Sequence, residues 1–416
     1  MTLLRGIFSC LLLGAAGARA ADDFLDEVDQ ALTVSGWEDQ VRLRLSGSLE
    51  LEGYEFPAPA PALIDAGGHE LFNPRLVLFL DAQLGGHVYA FAQARVDRGF
   101  DPSDDPLRLR LDEYAFRFTP ARNARVNLQV GKFATVVGGW VPRHGSWDNP
   151  FVGAPLLYEN LTGIWDTEPV PSRNVLLQWA HVRPGLPARI AAGEKYLRIP
   201  IIWGPSYATG LAVSGTLGRY QYAVELKNAA LSSRPDEWND LGDDWRHPAV
   251  SARLGYTPDE RWNLGLSGST GTYLRPDAAP LIPAGQGFGD YREDLLGQDI
   301  SFAWHHLQLW TEFYEAWFSS PVIGHAGTFA YYTEAKYKFT PQFSGALRWN
   351  QQLYGDIPDG AGGQVRWGRD VWRLDVAPGY RFTPHTELKL QYSLQSGGIG
   401  PRDRSQMLAT QFVTRF

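Results

Sequence analysis

Nine charged side chains stand out because each falls on the polar side of an alternating stretch. Arg42 and Arg44 alternate with Leu43 and Leu45, Arg95 sits between Ala94 and Val96, Arg108 and Arg110 alternate with Leu109 and Leu111, and Arg125 precedes Val126. Asp81, Asp97 and Asp112 share that phase nearby. Guanidinium groups in a row beside carboxylates can do two things. Lining confined water, they set a transverse field that sorts ions by sign, and Arg42, Arg44, Arg108 and Arg110 would then favour anions. Paired with one another, they only stiffen a wall. Both readings stand at this level.

A second constellation lies in Gly138–Phe151, where Trp140, Arg143, His144, Trp147 and Asp148 are crowded together. The unpatterned connection 134–172 around it is long for a compact fold unless it is functional or disordered. It is too rich in Trp and Phe, and too poor in Ser, Lys and Glu, for disorder. Its aromatic side chains need a surface to pack on. A constriction folded into an enclosed lumen and a cap over the mouth are the two arrangements that supply one.

Bond-making chemistry finds little support. There is no Gly-x-Ser-x-Gly elbow, and His69-Glu70 has no second histidine in register. Gly285–Gly289 lacks the spacing of a dinucleotide loop, and His305-His306 falls at a two-residue turn rather than in a ligand cluster. We therefore expect no catalytic residue, no metal and no cofactor. Triads are recognised by geometry and not by order, so a lipid-modifying enzyme is kept as an alternative.

The elements that must position these residues are strands. In Val41–Gly53, Val41, Leu43, Leu45, Leu49 and Leu51 alternate with Arg42, Arg44, Ser46, Ser48, Glu50 and Glu52. Val88–Asp97 and Glu387–Leu394 repeat the pattern, with Leu390 on one side and Gln391 on the other. Four corners punctuate them: Phe118-Thr119-Pro120, Tyr256-Thr257-Pro258, Phe339-Thr340-Pro341 and Phe382-Thr383-Pro384. Proline stops the ladder, and the aromatic before it stands where a girdle residue meets lipid headgroups. Long polar connections fall between the other strand ends, at 55–71, 98–106, 134–172, 231–247, 273–293, 355–369 and 397–405. Short turns on one side and long loops on the other are the asymmetry of outer-membrane barrels.

About eighteen alternating segments run from Val41 to Phe416, among them 173–183 and 188–196, and the poor pattern of 188–196 leaves sixteen open. An open edge in lipid would leave unpaired backbone groups, so the sheet must close. The expected fold is all-β: a single closed transmembrane antiparallel β-barrel of 16–18 strands over residues 41–416. Residues 22–39 read as one short amphipathic helix, within a periplasmic segment 21–40. Arg5, the apolar run Ile7–Ala16 and Ala18-Arg19-Ala20 read as a removable export signal over residues 1–20. The only cysteine, Cys10, lies in it. Without Arg5 and Arg19, 36 basic face 46 acidic residues, a net charge of −10 that argues against nucleic acid as a partner.

The last segment, Met407–Phe416, ends on an aromatic residue, and this resembles the assembly signal of bacterial outer-membrane barrels. The span 41–416 resembles porins, including the phosphate-selective and alginate-export groups. The succession Leu76–Gln83, Ala90–Asp101, Leu107–Phe118 and Val126–Lys132 is similar to the alginate-export group. The resemblance implies an outer-membrane location among lipid and lipopolysaccharide. It implies recognition of the strand ending at Phe416 by the barrel-assembly machinery, and passive diffusion of small hydrophilic solutes or ions. It also implies that a loop after an early strand folds inward. Polysaccharide export is the second reading; Tyr89 and Phe91 face inward, but no aromatic path continues from them. A barrel with no transport role is the third.

Overall fold

The computed structural model describes residues 18–37, 40–57, 60–121, 124–180, 194–238, 245–398 and 404–416. Helix α1 (Ala18–Ala31) crosses the expected end of the export signal, whose residues 1–17 lie outside the described part. The helix expected over 22–39 thus stops at Ala31, and a short strand β1 (Thr33–Gly36) takes the rest.

Alternating residues form strands in the expected places. They are β2 (Val41–Glu55), β3 (Glu70–Leu84), β4 (Val88–Asp97), β5 (Arg108–Phe118), β6 (Asn127–Phe133) and β7 (Ala208–Leu217). Next come β8 (Tyr220–Lys227), β9 (Ala249–Tyr256), β10 (Trp262–Thr272), β11 (Arg292–Trp304), β12 (Leu307–Ser320), β13 (Gly324–Lys338) and β14 (Phe343–Tyr354). A small ribbon, β15 (Asp356–Pro358) and β16 (Gln364–Arg366), precedes β17 (Val371–Arg381), β18 (Thr386–Gly397) and β19 (Arg404–Arg415). Leaving aside β1, β15 and β16, sixteen strands pair antiparallel with their neighbours, and β19 pairs with β2 to close the barrel.

The expected strand at 173–183 is instead helix α2 (Arg173–Trp179). Ser172 caps it, its hydroxyl accepting the Val175 N–H at 3.2 Å. Val175, Leu176 and Trp179 recur at helical rather than strand spacing, and Leu176 is fully buried. Most of the expected segment 188–196 lies outside the described residues; Glu194–Leu197 is a 3-10 turn. The connection expected to end at 172 therefore runs from β6 to β7, over 134–207.

Closure is shared by the two ends of the chain. Residues 48–55 of β2 pair with β19, while 41–44 pair with β1. Gly47 and Phe416 exchange backbone hydrogen bonds of 2.9 and 3.0 Å between those two stretches. A Cβ at position 47 would come within 2.5 Å of the Val77 oxygen and 2.8 Å of the Phe416 ring, so the seam requires glycine there. All four Thr-Pro corners lie at the end of the barrel that carries this seam. At two of them the threonine hydroxyl closes the turn. Thr340 accepts from the Phe343 N–H at 2.9 Å, and Thr383 from the His385 and Thr386 N–H groups at 3.1 Å. The long connections lie at the opposite end.

Polarity is inverted relative to a water-soluble protein. Leu109, Leu211, Leu254, Leu296 and Leu347 are each at least half exposed on the outer face, while Glu52, Asp97, Asp112, Arg348 and Asp375 are fully buried on the inner one. Outward aromatics gather at the turn end, where Tyr220 stacks on Tyr256, Trp262 packs on Phe302 and Tyr380 on Phe382. An apolar belt edged by aromatics is a surface made for a bilayer. No helix among the described residues is long and apolar enough to cross one.

Candidate functional site

The inner face of β2–β5 carries an ion-pair ladder. Arg75 binds Glu50 at 3.1 Å, Glu52 at 3.0 Å and Asp97 at 3.3 Å. Arg110 binds Asp97 at 2.8 Å and Asp112 at 2.6 Å, and Arg95 binds Asp112 at 3.1 Å. A register shift between Gln93 and Ala94 puts one extra residue into β5, so that Asp112 and Glu113 both turn inward. Glu113 accepts the Ala134 N–H at 2.8 Å and so anchors the start of the long connection. Three guanidinium groups face four carboxylates in the ladder, leaving it net negative by one charge.

The described part of the connection is docked inside the barrel. Glu312 on β12 accepts the Trp140 N–H at 2.7 Å, the Tyr158 hydroxyl at 2.6 Å and the Tyr332 hydroxyl at 2.5 Å. Arg143 reaches Glu334 on β13 at 2.6 Å and lies over the Trp310 ring. Asn350 on β14 accepts the Leu156 N–H, and Gln391 on β18 accepts those of Val152 and Gly153. Ser146 donates to Glu50 on β2 at 2.7 Å. Below the polar contacts, Val137, Trp140, Val141, Leu157 and Tyr158 pack on inward Leu295, Tyr314, Ala316, Ala330 and Tyr332. Beyond its start at Glu113 on β5 and Glu225 on β8, the connection thus lines the wall from β11 round to β2 and faces β3 and β4. Between them is a cavity of about 580 Å³, bounded by Arg44, Arg75 and Arg95 on the wall and Pro142, His144, Ser146, Trp147 and Asp148 on the connection.

The sequence-selected residues divide into groups. Arg95, Arg110, Asp97 and Asp112 meet in the ladder. Arg42 and Arg44 lie near the turn end of β2, Arg44 on the cavity, and Arg125 stands before β6 at the same end of the barrel. Arg108 is at the loop end, half exposed and paired with Asp105 and Glu237 at 3.0 and 3.3 Å. Asp81 accepts from the Tyr89 hydroxyl. The six arginines therefore do not form one ring. Trp140 and Arg143 dock against the wall and His144 bonds to Tyr207 at the far end of the connection, whereas Trp147 reaches the turn end, where the guanidinium groups of Arg381 and Arg415 lie 4.5 and 4.0 Å from its ring centre. Asp148 donates its backbone N–H to Gly145 there.

His144 is held at both nitrogens. The Val141 carbonyl, 2.6 Å from Nδ1, can only accept, so Nδ1 carries the proton and Nε2 accepts from the Tyr207 hydroxyl at 2.7 Å. Burial lowers its pKa from the ordinary 6.5 to about 4, with Arg95 and Arg75 opposing a positive charge and Asp112 favouring it.

No protein-family profile and no curated protein matches the sequence. Solved structures do match in shape. The outer-membrane channel DcaP of Acinetobacter baumannii aligns with a TM-score of 0.56 at 10% identity, covering 92% of this chain and 100% of its own. OmpF of Salmonella typhi, solved with daunomycin, gives 0.55 at 11% over 92% and 100%. An anion-selective porin from Comamonas acidovorans gives 0.54 at 9% over 90% and 100%. The barrel has the porin fold. With its apolar belt and aromatic edge, this porin-type barrel belongs in the outer membrane.

Sequence reasoning missed Arg75, Glu50 and Glu52, and the wall residues that hold the connection, among them Glu312, Glu334, Asn350 and Gln391. One signal was available. In β12 and β13 the inward phase sets Trp310, Tyr314, Ala316, Phe318, Ala330 and Tyr332 among Glu312, Thr328 and Glu334, a large apolar share for a face turned to water alone. An inner wall of that kind must be covered by something.

Proposed function

We propose that the chain is a passive channel of the outer membrane, crossed by small hydrophilic solutes and ions, with residues 1–20 as its export signal. The carrying observation is the charged cavity of about 580 Å³ left between the docked connection and the β2–β5 wall of a closed sixteen-strand barrel. Barrels of this size enclose water unless plugged. The connection fills part of the bore and leaves the rest as the route.

Selectivity in this reading is modest. The ladder is compensated, Arg110 is buried within it, and Arg108 stands outside the narrow region. Arg44, on the cavity and exposed, is the arginine whose charge passing ions would sense. Porins similar in fold include one described as anion-selective. Polysaccharide export, the alginate-export-like alternative, would need the connection withdrawn, because a polymer cannot share the lumen with it. Assembly through the strand ending at Phe416 fits the seam that this residue makes with Gly47.

The test is swelling of liposomes carrying the purified protein in neutral sugars of increasing size, with reversal potentials measured in a salt gradient. Small sugars should enter and large ones not, and Arg44→Glu should move the reversal potential toward cations. Impermeability to the smallest sugar and to salt would sink the proposal.

A further inference from the structure

The lumen is crossed by a single row of aromatic rings. Phe100, in the connection after β4, lies 6.2 Å from Tyr207 between ring centres; Tyr207 lies 5.9 Å from His144, His144 6.0 Å from Trp140, and Trp140 4.6 Å from Tyr158. Both ends of the row are fixed to the barrel. Arg110 on β5 lies 4.0 Å over the Phe100 ring, and Tyr158 donates to Glu312 on β12. Seven of the sixteen steps around the barrel separate these strands, so the row runs close to a diameter.

Two separate cavities border it. One, of about 350 Å³, lies toward the loop end, with Tyr207 in its lining beside Asn228, Arg234, His247 and Arg275. The other is the turn-end cavity of about 580 Å³, with His144 in its lining. Tyr207 in the lining of the one and His144 in the lining of the other are joined by a hydrogen bond, from the Tyr207 hydroxyl to His144 Nε2. That bond joins two stretches of chain more than sixty residues apart. Trp140 and Tyr158, by contrast, are both tied to the same carboxyl of Glu312.

Resting on the channel reading, we propose that this row is the closed gate of the pore and that the Tyr207–His144 hydrogen bond is its latch. Solute enters the loop-end cavity, waits at Tyr207, and passes to the turn-end cavity when Tyr207 and His144 part. Apolar rings across a water-filled bore hold back ions by dewetting, while the polar cavities on either side keep solute hydrated up to the barrier. Tyr207 and His144 then set the size of what passes, as well as how often.

The experiment is single-channel recording in planar bilayers of the full-length protein, with electrophoretic heat-modifiability showing that each variant is a folded barrel. Tyr207→Phe keeps the ring and removes the latch donor; it should raise the open probability by about two- to tenfold, the worth of one neutral hydrogen bond, at unchanged open conductance. Tyr207→Ala should raise the conductance itself. A third variant, with Gly139–Phe151 replaced by a short glycine–serine bridge, removes most of the row. If this third variant conducts more than the parent while both Tyr207 variants behave like the parent, the gate proposal is overturned and the channel reading survives. If parent and all variants are silent, the channel reading fails and the gate with it.

Discussion

Replacing Glu312 by alanine separates the docked connection from the barrel that holds it. Its carboxyl accepts three hydrogen bonds, from the Trp140 N–H, the Tyr158 hydroxyl and the Tyr332 hydroxyl, and all four residues are nearly or fully buried. Without the acceptor, each buried donor loses its partner at about 1–3 kcal/mol. Two of the donors, Trp140 and Tyr158, belong to the connection, so the lower bound for its docking is about 2 kcal/mol, and at about 1.4 kcal/mol per factor of ten the docked state of this stretch becomes about thirtyfold less favoured. The barrel loses only the Tyr332 bond and keeps its ladder, since β12 is paired along its length with β11 and β13. Hydrogen exchange followed by mass spectrometry reads both. The Trp140 amide and its neighbours should exchange about thirtyfold faster in Glu312→Ala, while peptides from β11–β13 keep their protection. Glu312→Gln, which retains one acceptor oxygen, should fall between. Exchange at Trp140 within about threefold of the parent would refute the assignment of Glu312 as the main anchor.

Further predictions follow from the same geometry. Leu266 faces lipid opposite Leu254, so Leu266→Arg should impair membrane insertion by about 2–4 kcal/mol if it lies at the midplane, whereas Ser46→Arg, on the cavity, should fold normally; both are read by heat-modifiability after refolding. Gln391 clasps the connection, so Gln391→Arg should loosen the Val152–Gly153 amides without blocking insertion, as exchange at those amides will report. His144 is neutral when docked, with a pKa of about 4 against 6.5 ordinarily, so the undocked state takes up a proton first as pH falls. The contribution of His144 to docking is fully present above pH 6.5 and is lost from there toward pH 4; open probability should rise across that window and stay flat in His144→Gln. Cysteines placed at Gly360 and Pro120 should label on intact cells at the first position and not at the second, because the two lie at opposite ends of the barrel.

The barrel was readable because its outer face must be apolar whatever the lumen does. That constraint gave Leu43, Leu109 and Leu390 their phase, and the Thr-Pro corners marked four of the turns. Strand number was harder. The sequence after Ser172 carries enough Val, Leu and Trp to pass for a strand, and only the serine cap and the three-to-four spacing mark α2. The ladder was half legible: Arg95, Arg110, Asp97 and Asp112 share a phase, but Arg75 follows Pro74, which interrupts the reading of β3. The docking of the connection could be suspected from Trp140 and Trp147, yet not its partners. Glu312, Gln391 and Tyr207 lie 172, 239 and 63 positions from the residues they hold, and no local pattern encodes such distances.

The most direct test is the conductance of the purified protein beside the variant in which a glycine–serine bridge replaces Gly139–Phe151. That stretch carries the Trp140, Arg143 and Ser146 contacts to β12, β13 and β2. A channel narrowed by it should show small unitary currents in the parent and clearly larger ones in the variant, with the barrel intact in both. A folded variant that stays as silent as a folded parent would contradict the account.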